Sequence, residues 1–162
     1  MATQTRAAGT GSGWTNSGNI SVLDNTYATN SVNAGNASAT LSATNFGFTL
    51  PTAAVINSIS VKIVFLGSAN FQDFSDKIGT FGGTFFTNVV TFYNWTTASC
   101  PHFFNLTPTQ WGWSGVTAAN INSSNFCYAV QAYNLTGSTQ TVSVDYIEIT
   151  ITYDGNTFPL LV

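Results

Sequence analysis

The sequence predicts an all-β fold, a single-domain antiparallel β-sandwich of the jelly-roll kind. Three observations carry this expectation. The last long segment, Gln140 to Tyr153, alternates strictly over its second half, with Ile147, Ile149, Ile151 and Tyr153 on one face and Tyr146, Glu148, Thr150 and Thr152 on the other. Period two is the mark of a strand with one face packed on a core. Several further strand-like stretches follow one another with Gly, Pro and Asn turns between them, and no segment of ordinary helix length shows helical period.

In chain order, Met1–Gly13 is small, polar and glycine-rich, and reads as a flexible arm able to order on a neighbouring subunit. Trp14 opens the expected domain, which runs to residue 155, with a C-terminal tail at 156–162. Asn16–Asn36 reads as short strands and turns. Ala39–Leu50 reads as a strand pair or bent strand with Leu41, Phe46, Phe48 and Leu50 in the core, ended by Pro51, which cannot donate to a ladder. Ala54–Leu66 is a clear strand with Ile59, Val61, Ile63 and Phe65 inward. Gly67–Gly83 combines turn residues with aromatics and reads as a long loop. Thr84–Trp95 has apolar residues on both parities, as in a strand buried on both faces. Gln110–Asn125 reads as irregular, with one helical turn at Thr117–Ile121. Phe126–Leu135 is a strand with Phe126, Tyr128, Val130 and Ala132 inward, expected to form a hairpin with the last strand through Thr136–Thr139. In that last strand, Val142 and Val144 are out of phase with Ile147. This calls for a bulge near Asp145 or burial on both faces.

The chain has 162 residues, enough for one domain with a sizeable core. Charged residues make up 6%, against about 25% in ordinary globular proteins, so the polar surface must come from Asn, Thr, Ser and Gly. Little charge keeps copies apart, which suits a subunit that packs on others. Three basic residues and a net charge of −3 argue against nucleic acid and against an anionic membrane surface, because both need clustered Lys and Arg. No apolar run approaches the roughly 20 residues of a membrane span, and the N-terminus lacks the apolar centre of a signal peptide.

Candidate chemistry is sparse. His102 is the one histidine and reads as structural, since no nucleophile motif accompanies it. Asp73 and Asp76 are three apart and could offer oxygens to calcium, but read as solvated loop charges. Cys100 and Cys127 could form one disulfide, with free thiols the blander reading, and with His102 they are too few for a structural zinc site. No cofactor, metal or catalytic residue is expected. Trp95, Trp111, Trp113 and Tyr93 are candidates for stacking on glycan rings. The alternative for such aromatics is core or subunit-interface packing. Interface candidates are Phe71, Phe74, Phe81, Phe85, Phe86, Phe158, Leu160 and Leu161.

Four stretches taken together carry a resemblance: TYATNSVNAGNASATLSATNFGFTLP, INSISVKI, WGWSGVTAANINSSNFCYAV and VDYIEITITY. Their order and spacing resemble a β-sandwich domain family common in tailed-bacteriophage virion proteins, over about Trp14 to Tyr153. Cys127 stands where that family has glycine, and Gly67–Cys100 has no counterpart. The resemblance implies a non-enzymatic structural role in the virion, and offers no catalytic residues to carry over. The expectation is a capsid decoration or cement protein on the head exterior, bound to the major capsid protein and to copies of itself as a homotrimer. The alternative is a tail or fibre module that binds host-surface glycans.

Overall fold

The computed structural model describes residues 1–67, 71–89, 94, 95 and 100–155. Among the described residues, ten strands form two five-stranded sheets that pack face to face. They are β1 (Ala2–Ala7), β2 (Thr10–Ser12), β3 (Ala28–Val32), β4 (Leu41–Thr44), β5 (Val55–Gly67), β6 (Phe71–Thr80), β7 (Asn94–Trp95), β8 (Cys100–Leu106), β9 (Phe126–Asn134) and β10 (Gln140–Asp154). The first sheet runs β1-β10-β5-β8, with β3 also paired to β10; the second runs β2-β4-β9-β6-β7. All named pairs are antiparallel. The expected sandwich is therefore present.

The central strand of the first sheet is β10. Its Ile147, Ile149 and Ile151, with Ile59, Val61, Ile63 and Phe65 of β5, form one wall of the core. Leu41, Ala43, Ile78, Tyr128 and Val130 of the second sheet form the other. The expected bulge is real: the β10–β5 register shifts between Val144 and Tyr146. This lets Val142 and Val144 face the core with Ile147 despite their opposite parity. Asp145, at the shift, is buried. Its carboxylate accepts the backbone N–H groups of Asp24 and Asn25, so the irregularity is closed by a loop from the other end of the chain.

Four expectations are corrected. Met1–Gly13 is not a flexible arm. Residues Ala2–Ala7 pair one by one with Tyr153–Glu148, and Thr10–Ser12 pair with Thr44–Ser42. β1 shows no apolar alternation because its side chains are largely outward and the backbone ladder holds it. The Thr5 and Thr150 hydroxyls bond across it, and Gln4 exchanges two bonds with the Thr49 backbone. The glycines serve close approach. A Cβ on Gly11 would stand 1.9 Å from the Ser17 carbonyl oxygen, and Gly13 (φ 97°) crosses the Thr40 carbonyl.

Gly67–Gly83 is not a long loop, since it contains β6, a strand paired to both β9 and β7. Of Thr84–Trp95, residues 84–89 are not a regular strand, and residues 90–93 lie outside the described residues. Phe85 bridges Gly79, and Phe86 and Val89 donate to Ile78 and Asp76 of β6, with both side chains half-buried on the core. Finally, β9 and β10 are not a hairpin: they lie in different sheets. Buried Asn134 turns the chain between them, accepting from Thr136 and donating to the carbonyls of Val32 and Ser138. The expected helical turn is found at Ala118–Asn122, capped by reciprocal bonds between Thr117 and Asn120.

Candidate functional site

Three places gather the side chains that could carry function. The first lies inside the sandwich. Inward residues on a regular strand are two apart, so Asp73 and Asp76 should face opposite ways. The β6–β9 register shifts between Asp73 and Ser75, and this bulge puts both acids on the core face. They are buried, not solvated loop charges. Asp73 accepts from the Trp95 indole N–H, and its other oxygen lies 3.9 Å from His102 Nε2 on β8. Asp76 Oδ1 accepts from the Tyr128 hydroxyl, while Oδ2 has no hydrogen-bond partner among the described residues.

Burial, then the neighbouring Asp73 charge, holds the Asp76 carboxyl well above the usual carboxylate range, against the lowering bond from Tyr128. Burial also lowers the His102 pKa, with Asp73 opposing, and raises the Tyr128 phenol far above its usual value. Burial therefore favours the protonated form of Asp76. Phe65, Trp95 and Trp111 close the space: Phe65 and Trp95 stack at 4.2 Å, and Trp111 meets Tyr128 edge-on. Such a pair cannot reach an external substrate. Among the described residues, no three His, Cys, Asp or Glu side chains are placed to hold a metal ion.

The tryptophans named as glycan-stacking candidates belong to this core. Trp95 and Trp111 are fully buried, and Trp111 donates its indole N–H to the Ile59 carbonyl. Trp113 stacks on Phe86 at 4.6 Å and is 6% exposed. Phe71, an interface candidate, is also fully buried. Each ring fills space between the sheets, and the Trp95 and Trp111 indoles each find a buried acceptor, so burial costs them no hydrogen bond. Of the other interface candidates, Phe85 and Phe86 are half-buried, and Phe74 and Phe81 are exposed. Tyr93, Phe158, Leu160 and Leu161 lie outside the described residues.

The second place is an open groove of about 520 Å³ at one end of the sandwich, between Thr52–Asn57 and the 107–118 segment. Threonines and the edge of Trp113 line it. No motif in the sequence announces it, because its walls come from chain segments about fifty residues apart. The third place is the outer face of the second sheet, where Phe74 and Tyr133 pair with centroids 5.7 Å apart and planes 27° apart. Tyr133 carries no sequence signal of its own; only its outward parity on β9 hints at exposure.

Cys127 is a free, buried thiol, and burial pushes its pKa up to about 12. With Cys100 replaced by Ser, the native protein should show almost no reaction with a thiol reagent at neutral pH, and one equivalent after denaturation. Full reaction in the native state would contradict this burial.

No family model and no curated protein sequence matches the chain. Among solved structures, the chain is similar to one described as "CBM4 structure and function", with a TM-score of 0.50 and 13% identity over 93% of this chain and 94% of that one. At this identity the likeness concerns the fold, and it agrees with the two-sheet sandwich.

Proposed function

We propose that this chain is a non-enzymatic structural subunit of a tailed-phage particle, a decoration or cement protein on the capsid exterior. The observation that carries this reading is the character of the surface. Of the nine charged side chains, Asp73, Asp76 and Asp145 are buried. Only Arg6, Lys62, Lys77, Asp24, Glu148 and Asp154 remain to face outward, balanced in sign. Val22, Leu23, Val55, Phe81 and Phe103 are large apolar side chains exposed among neutral groups. Such a surface has little self-repulsion and loses little solvation when covered.

In this reading the subunit sits as a homotrimer on the major capsid protein. Apolar area buried at the junctions, at roughly 25 cal/mol per Å², opposes the pressure inside the head. Phe74, Phe81, Phe85 and Phe86 supply contacts, together with Phe158, Leu160 and Leu161 of the tail. The copy number in purified virions, by quantitative mass spectrometry, tests this. Copies in a fixed ratio to the major capsid protein, running to hundreds, are expected. Absence from the particle would end the proposal.

A second reading is favoured by the likeness to a carbohydrate-binding module: a tail or fibre module that binds host-surface glycans. A few copies per particle would move the chain to that role. Its contacts cannot be Trp95, Trp111 or Trp113, which are buried.

A further inference from the structure

We propose that the outer face of the second sheet around Phe74 and Tyr133 is a saccharide-binding site that takes a pyranose ring on the exposed Phe74 side chain. The proposal rests on the glycan-binding reading above and gives it a location. The bulge that turns Asp73 and Asp76 inward turns Phe74 outward, leaving it 45% exposed. Bulges re-aim side chains in this way, at some cost in ladder bonds. Here the bulge is fixed by one side chain. Asn88 Oδ1 accepts the Asp76 N–H at 2.7 Å, and its Nδ2 donates to the Phe74 carbonyl at 3.2 Å. Tyr133, the ring beside Phe74, is anchored by its hydroxyl, which donates to the Gly35 carbonyl at 2.7 Å. Both rings are therefore held before any ligand arrives, which lowers the ordering cost of binding.

The surroundings decide the ligand class. Cross-strand register places Gln72 beside Tyr133, and Gln131 and Lys77 along the same outward face. All three are half-buried. Gln131 is steadied by its bond to the Ser38 carbonyl at 2.9 Å, and its amide oxygen is an acceptor by type. The two acids of this strand point the other way, into the core. An aromatic face attracts polarised C–H groups, and fixed amides beside it answer hydroxyls. A sugar ring presents both kinds of group. A protein partner would be matched by a broader apolar patch, and a nucleic acid by several cations.

The test probes the 162-residue chain on an array of bacterial surface polysaccharides and mammalian glycans. The best binder is then titrated by NMR into the wild type and three variants. Phe74→Ala should weaken binding by about tenfold or more, Phe74→Trp should retain it, and Phe81→Ala should leave it unchanged. Backbone shifts should centre on Gln72, Phe74, Gln131 and Tyr133. Binding that survives Phe74→Ala would overturn this site while leaving the glycan reading in place. Capture of no glycan would overturn both, without touching the capsid reading, which is decided by copy number.

Discussion

Deleting Met1–Gly13 destabilises the whole domain by several kcal/mol, since each ladder bond of β1 and β2 contributes about 1 kcal/mol net. Six residues of β1 cover one edge of β10, β2 covers an edge of β4, and Ala8 is buried between them. Their loss exposes two rows of backbone donors and acceptors on strands that otherwise belong to the interior. Against a total stability of about 5–15 kcal/mol, this is a large share. The urea midpoint should fall clearly, and Tm should drop by roughly 10 °C. An arm that only reached for neighbours would leave both unchanged and weaken particle binding alone. That outcome would show that the pairing of β1 with β10 contributes nothing to the isolated domain.

The same segment shows where sequence reasoning succeeds and where it stops. Strands β5, β9 and β10 were legible because one face of each is packed on the core, so burial writes period two into the sequence. The bulge at Asp145 was legible for the same reason, as a slip in that period. β1 wrote nothing comparable. An edge strand held by its backbone needs no apolar side, and threonine and alanine satisfy it as well as they satisfy a loop. The glycines of this stretch suggested freedom, yet Gly11 is constrained by the approach of the Ser17 carbonyl to 1.9 Å of where a Cβ would sit.

β6 is hidden in the sequence for a different reason. Asp73 and Asp76 carry the composition of a loop, and their spacing of three breaks alternation. Only the bulge between them makes both inward. Its position follows from the partner strand β9 and from Asn88, neither of which is local to the pair. The candidate site inherits this difficulty. A count of aromatics cannot separate the tryptophans that fill the sandwich from the phenylalanine that leaves it. Trp111 is inside because Ile59 offers it a carbonyl 52 positions away. Phe74 is outside because a register shift next to it spends the inward position on an acid. Exposure here is decided by pairing across strands, and the sequence of one strand does not contain it.

Asp76→Asn should flatten the pH dependence of stability and make the protein more stable than wild type at neutral and alkaline pH. The folded state keeps the Asp76 proton to higher pH than the unfolded chain, which releases it near the ordinary carboxylate value of about 3.9. Folded protein therefore binds more protons than unfolded protein above that value. Its stability is fully present below the unfolded pKa and is lost as pH rises toward the folded one, at up to about 1.4 kcal/mol per pH unit. His102 acts with the opposite sign. Its lowered pKa removes stability as pH falls below about 6.5, so the two effects overlap in acid and separate above neutrality. Tyr128, with its pKa raised, adds a further loss only above about pH 10. Urea midpoints between about pH 7 and about pH 9 therefore report on Asp76. Asn is a fair replacement, because its oxygen can still accept from Tyr128 and its amide stands where the neutral acid carries a proton. Wild type should lose stability, or run at a constant deficit to the variant, across this range, while near pH 4 the two should converge. Parallel, coincident curves at every pH would mean that the core carries no neutral acid. The bulge at Phe74 would then have to be explained without the burial of a proton on its other side.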